Sequence, residues 1–152
     1  MTEGMDEGDI LAINQIPIDA TDTSGTLFAK FAEVSGQLLV ETLRHHSLGE
    51  VIPKPQDHSA ATYTRKIEKE DGLLRYDTDP KTLHDRIRSL TPWPGAYDFF
   101  VGRQLRFDRT DTEFGSPIAP TGTVERIPHG DPGRIGIAVD GGWLILRSVT
   151  IE

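Results

Sequence analysis

Two prolines around a tryptophan, Pro92-Trp93-Pro94, separate two hydrophobic periods, and that change of period constrains the fold more than any other feature. Beyond Pro94 apolar residues recur at every second position. Ala96 to Val101 and Gln104 to Arg109 flank Gly102-Arg103, which marks a hairpin. Ile135, Ile137 and Val139 alternate, Asp140-Gly141-Gly142 turns, and Trp143, Ile145, Val149 and Ile151 alternate again. Aspartate-glycine between alternating runs is a strong hairpin signal, because such turns require residues that accept positive φ. With Thr121 to Ile127 as a further strand, five short strands are expected, which suit a small barrel better than a two-sheet sandwich.

Before Pro92 the pattern is mainly helical. Asp9 to Ile18 reads as a strand, with Leu11 and Ile13 on one face and Ile16 and Ile18 continuing beyond Gln15. Asp19-Ala-Thr-Asp-Thr-Ser24 then supplies capping residues. Leu27, Phe31, Val34 and Leu38 form a helical stripe that Phe28, Leu39 and Leu43 widen, predicting a helix of about twenty residues that ends near His46 to Gly49. Gly36 costs that helix about 1 kcal/mol relative to alanine, so a close packing partner is expected there. Residues 50–64, with Pro53 and Pro55, read as an extended linker. Asp79-Pro80 opens a second helix whose buried stripe is Leu83, Ile87 and Leu90, and Pro92 and Pro94 stop it. One strand and one long helix cannot close a core alone, since a strand buried on both faces needs neighbours. The first third is therefore expected to belong to a larger body.

Composition narrows the function classes. The chain has no cysteine, which removes disulfides, thiolate metal sites and cysteine nucleophiles. No apolar run approaches the roughly 18 residues that span a bilayer, so a cytoplasmic protein without membrane contact is expected. The net charge of −8 argues against a generic nucleic-acid binder, but it is unevenly spread. Residues 1–58 carry 3 basic and 10 acidic side chains, residues 59–92 carry 7 and 6, and residues 93–152 carry 6 and 8. Phosphate contacts belong first in the middle segment.

Candidate chemistry is sparse. Gly4 and Gly8 permit unusual backbone angles around Asp6, an arrangement that presents a carboxylate from a tight loop; an acidic, frayed terminus would look the same. His45-His46 point about 100° apart on a helix and have no third ligand at metal spacing, so they suit the helix C-terminus as charges. His58, His84 and His129 are isolated in sequence, and no metal is expected. Tyr63, Tyr76 and Trp93 are interleaved with Arg65, Lys66, Lys69, Arg75, Arg86 and Arg88. That mixture can stack on bases and pair with phosphates, or it can form a domain junction.

Several segments resemble one family. Asp22-Thr-Ser-Gly-Thr-Leu27, Lys30-Phe-Ala-Glu33 and Leu38-Leu-Val-Glu-Thr-Leu43 are similar to the D-T-S-G-x-L helix of folate-dependent formyltransferases. Pro55-Gln-Asp-His-Ser59 with Ala61-Thr-Tyr63 resembles their P-Q-D linker. Lys66-Ile-Glu-Lys-Glu-Asp-Gly72 and Thr91-Pro-Trp-Pro-Gly-Ala-Tyr97 resemble segments of methionyl-tRNA formyltransferases. The opening resembles the loop M-x-x-G-L-D-T-G-D-I-L: Met1, Gly4, Asp6, Gly8, Asp9, Ile10 and Leu11 match, while Met5 and Glu7 depart.

The resemblance implies an α+β chain: the terminal strand and helix of a Rossmann-like formyltransferase domain, then a linker helix and a small OB-like β-barrel. Residues 1–49 would close the catalytic domain, 50–92 form the linker and helix, and 93–152 make an incomplete barrel. It also implies formyl transfer from 10-formyltetrahydrofolate to the α-amino group of methionyl-initiator tRNA, by an enzyme that is a monomer when full length. Asp6 matches the catalytic aspartate, Gly4 and Gly8 its folate-side loop, and Arg65, Lys66 and Lys69 would contact tRNA. Asp6 is then expected just before a strand, facing a cleft at the end of a sheet. The family's asparagine and histidine have no counterpart here, so this stretch alone is expected to be inactive. An N-formyltransferase acting on a nucleotide-linked amino sugar, and a non-catalytic tRNA- or partner-binding fragment, are the alternatives.

Overall fold

A computed structural model describes residues 4–128 and 133–151; Met1 and His129 lie outside them. Two helices, α1 (Ser24–Ser47) and α2 (Pro80–Ser89), precede five strands. These are β1 (Ala96–Phe100), β2 (Arg103–Phe114), β3 (Val124–Arg126), β4 (Ile135–Val139) and β5 (Gly142–Ile151). The chain divides into two compact units, Met1–Ala20 with Thr26–Lys66 and Thr21–Gly25 with Ile67–Glu152.

In the second unit the strands form one antiparallel sheet in the order β1-β2-β5-β4-β3. The five expected strands are present. The sheet is an open ladder, with no pairing between β1 and β3 among the described residues. The β1–β2 turn is Val101-Gly102, one residue earlier than the sequence pattern suggests, because Phe100 pairs with Arg103. Val101 has φ 50° and Gly102 φ 75°, the double positive φ of a type I′ connection. A register shift at Asp108 bends β2 against β5.

Asp79 starts α2 as expected. Its carboxylate accepts from the amides of Lys81 and Thr82 at 3.0 Å each, and Pro80 occupies the first turn, where its missing N–H costs nothing. Leu83, Ile87 and Leu90 are buried, matching the predicted stripe. Leu83 and Ile87 join Leu74, Ala96, Phe107, Ile137, Val139 and Leu144 in the main core. Each leucine, isoleucine, valine or phenylalanine among them stabilises the fold by about 1.5–3 kcal/mol when fully buried. A smaller cluster of Ile127, Trp143 and Ile145 lies beside it, and the Trp143 indole donates to Glu125 Oε1 at 2.6 Å.

The start of α1 belongs with this unit. Ser24 Oγ donates to the Thr91 carbonyl at 2.5 Å, the Gly25 amide to the same oxygen at 3.0 Å, and Arg88 to the Asp22 carbonyl at 3.0 Å. The Thr91–Pro92 and Trp93–Pro94 peptides are cis. Leu74 N donates to the Tyr97 carbonyl at 2.9 Å, and a Cβ at Gly72 would collide with the Gly95 carbonyl. The segments Asp22–Gly25, Asp71–Leu74 and Thr91–Tyr97 are thus one hydrogen-bonded junction, which explains why their small residues are needed.

The first unit contains most of α1, which ends within the predicted range. Gly49 (φ 71°) closes it: Gly49 N donates to His46 O at 3.0 Å and Glu50 N to His45 O at 3.0 Å, the Schellman pattern. Two expectations fail here. Residues 9–18 are not a strand; they pair only through the antiparallel Ile10–Lys54 bridge, because no neighbouring strand among the described residues offers a ladder. Gly36 has no atom within 4 Å of where a Cβ would stand, so no close partner explains it. No α1 residue is buried: Leu27, Val34 and Leu38 are half-buried, and Phe28, Phe31, Leu39 and Leu43 are exposed.

Candidate active site

Asp6 occupies a turn at residues 4–8 in the first unit. Asp6 itself takes a left-handed backbone, with φ 60°. Aspartate is among the few residues that visit this left-handed region readily, because its short polar side chain can bond locally. Its side chain is exposed, so a carboxylate is presented to solvent from a constrained turn. The expected strand and sheet edge beside it are not formed by residues 9–18. A shallow groove in this unit is lined by Leu11, Leu38, Thr42, His45, Val51 and Ile52, and Asp6 is not part of it.

The turn is held from fifty residues away. Gln56 Nε2 donates to the Asp6 carbonyl at 2.9 Å and to the Gly8 carbonyl at 2.6 Å. Two residues outward on each side, Ile10 and Lys54 exchange paired backbone hydrogen bonds of 2.9 Å. Asp57, next along, caps a short 3₁₀ turn at His58–Ala60. It accepts from the Ser59 hydroxyl at 2.6 Å and amide at 3.0 Å, which hold its carboxyl below the usual range. Gln56 was not singled out by the sequence beyond its place in the P-Q-D pattern. Its partners lie 48 and 50 positions away, so no local signal could reveal the clasp.

The candidate cations are less organised. Arg65 and Lys66 are exposed in the first unit, where Arg65 Nη1 donates to the Lys66 carbonyl at 3.0 Å. Lys69 is exposed in a 3₁₀ turn at Lys69–Gly72 of the second unit, where Asp71 Oδ2 accepts from the Glu68 amide at 2.8 Å. Of the other mixed aromatic and basic residues, several serve the second unit internally. Arg86 donates to the Asp71 carbonyl, and Arg88 binds Asp85 as well as the Asp22 carbonyl. The Tyr76 hydroxyl donates to Asp98 at 2.7 Å, and burial, reinforced by that carboxylate, pushes its pKa well above the ordinary tyrosine range. Tyr63 and Trp93 remain exposed. No helix is long and apolar enough to cross a membrane among the described residues.

The second half of the chain matches a recognised class. Residues 66–152 match the family described as formyl transferase, C-terminal domain, and the chain belongs to that family. Methionyl-tRNA formyltransferases are among its curated relatives. That of Anaeromyxobacter sp. (strain K) is 37% identical over 149 residues, covering 96% of this chain and 46% of the relative. That of Lachnospira eligens is 32% identical over 157 residues, covering 100% and 49%. The chain therefore spans about half the length of the curated relatives it matches. Among solved structures, the methionyl-tRNA formyltransferase from Clostridium thermocellum aligns over 100% of this chain and 53% of its own, with TM-score 0.58 and 18% identity. HypX from Aquifex aeolicus in complex with tetrahydrofolic acid aligns over 95% and 25%, with TM-score 0.61 and 19% identity. Those likenesses establish a shared fold.

Proposed function

We propose that this chain is part of an enzyme that transfers a formyl group from 10-formyltetrahydrofolate to the α-amino group of methionyl-initiator tRNA. The observation that carries the reading is the 37% identity with a methionyl-tRNA formyltransferase across 96% of the chain. In this reading residues 1–49 complete a Rossmann-like catalytic domain, 50–92 form the linker and helix, and 93–152 form an OB-like module. The enzyme works in the cytoplasm as a monomer.

The α-amine attacks the formyl carbon, and the resulting oxyanion needs donors aimed at it. Those donors come from outside this chain. Asp6 supplies the carboxylate: beside an imidazole it keeps that ring charged and oriented, and it helps to relay the amine proton. Gly4 and Gly8 let the turn approach the folate closely. Arg65, Lys66 and Lys69 supply positive charge to the tRNA backbone, in a chain that is otherwise acidic. No observation here favours an amino-sugar acceptor or a purely non-catalytic role.

Formylation assays on the complete enzyme test this directly. Labelled formyl-methionyl-tRNA should accumulate from 10-formyltetrahydrofolate, and Asp6→Asn should lower kcat by at least about 100-fold with little change in Tm. Formylation of a nucleotide-linked amino sugar with none of methionyl-tRNA would overturn the acceptor.

A further inference from the structure

We propose that Gln56 is a positioning residue for Asp6, through the clasp its carboxamide makes on the turn that presents the Asp6 carboxylate. The inference rests on the reading of Asp6 as the catalytic carboxylate. Both partners of the Gln56 side chain are backbone carbonyls, at 2.9 Å on Asp6 and 2.6 Å on Gly8. Carbonyls only accept, so the amide nitrogen must face them, and both of its hydrogens are used. One planar group thus ties the carbonyl of the left-handed residue itself to one two positions on. It fixes the peptide plane that follows Asp6 and the one that follows Gly8, and with them the course of the turn that carries the carboxylate.

The side chains nearest to it in shape do not reproduce this. Glutamate has the same shape but, when ionised, sets negative oxygens against two carbonyl dipoles. Methionine fills similar volume without a donor, and asparagine is one methylene short. The backbone bridge between Ile10 and Lys54 does not depend on the Gln56 side chain, so it continues to hold the two segments together when that side chain is changed. Loss of the clasp should therefore reorient the turn without unfolding the unit. A displacement of about 1 Å at a reacting group can cost about 100-fold in rate.

The test uses Gln56→Glu, Gln56→Met and Asp6→Asn in the complete enzyme, with steady-state kinetics and thermal unfolding. Both Gln56 variants should lower kcat by about 100-fold, leave KM for folate and tRNA within about threefold, and move Tm little. Gln56→Glu should recover part of its activity as pH falls, since a protonated carboxyl can donate one hydrogen bond; Gln56→Met should not. Should Gln56→Glu fail to fold, Gln56→Met carries the comparison. Native kcat in both Gln56 variants alongside an inactive Asp6→Asn overturns the clasp and leaves the catalytic carboxylate standing. A sharp fall in Tm with native kcat per folded molecule assigns Gln56 a purely structural role and also overturns it. Native turnover in Asp6→Asn removes the catalytic reading and the inference with it.

Discussion

Replacing Val101 by asparagine should make the protein more stable, although valine is the more hydrophobic residue. Val101 sits at φ 50° in the two-residue turn between β1 and β2, followed by Gly102 at φ 75°. A left-handed conformation costs an L-residue about 1–2 kcal/mol because Cβ crowds the following carbonyl, and branching at Cβ worsens this. Asparagine relieves much of that cost and restores the asparagine-glycine pair that type I′ turns favour. Little is lost in exchange. Val101 is 85% exposed, and full burial of a valine is worth about 1.5–3 kcal/mol. The forfeited burial is thus below about 0.5 kcal/mol. The net gain should be near 1 kcal/mol, which in a domain of about 60–100 residues raises Tm by about 4–8 °C. Thermal unfolding followed by circular dichroism would measure it. Val101→Ala keeps the Cβ clash and should shift Tm far less. An unchanged or lowered Tm for Val101→Asn would refute the strained-turn argument.

Other expectations follow from single contacts. Glu125→Ala strands the buried Trp143 indole N–H, bonded at 2.6 Å in the native fold, and should cost about 1–3 kcal/mol by urea unfolding; an unchanged midpoint would mean that water replaces the carboxylate. His84, whose Nδ1 lies 2.9 Å from Thr110 Oγ1, has its pKa held below 6.5 first by burial, against the pull of Asp85 and Asp111. The unfolded chain therefore takes up that proton first, so this contribution is complete above pH 6.5 and is lost as pH falls through the lower folded value. His84→Gln should flatten that acid-side decline in urea midpoint, and identical profiles would remove the histidine from the account. In the complete enzyme, Lys66→Glu with Lys69→Glu should raise KM for methionyl-tRNA, leave folate KM alone, and flatten the salt dependence of binding by about two units. Unchanged slope and KM would exclude these lysines from the tRNA contact.

Most of the second unit was legible in the chain, because its signals are local. The Asp79-Pro80 cap, the Leu83, Ile87 and Leu90 spacing, and the Asp140-Gly141 turn each specify backbone within a few residues. The Gly49 stop of α1 is equally local. Where pairing over distance decides, the sequence alone was insufficient. The alternation in residues 9–18 can make a strand only against a neighbour, and among the described residues it finds one bridge, at Lys54. Placing β5 between β2 and β4 depends on which edges meet after collapse, as does the open ladder. The same holds at the candidate site. Sequence could mark Asp6 as a carboxylate in a glycine-flanked turn, because that is a matter of neighbours. Only tertiary structure could show the left-handed backbone at Asp6 and bring Gln56 across 48 to 50 positions to hold the turn. Hydrogen bonds between such distant residues leave no periodicity behind; they exist only once the chain has closed the loop between them.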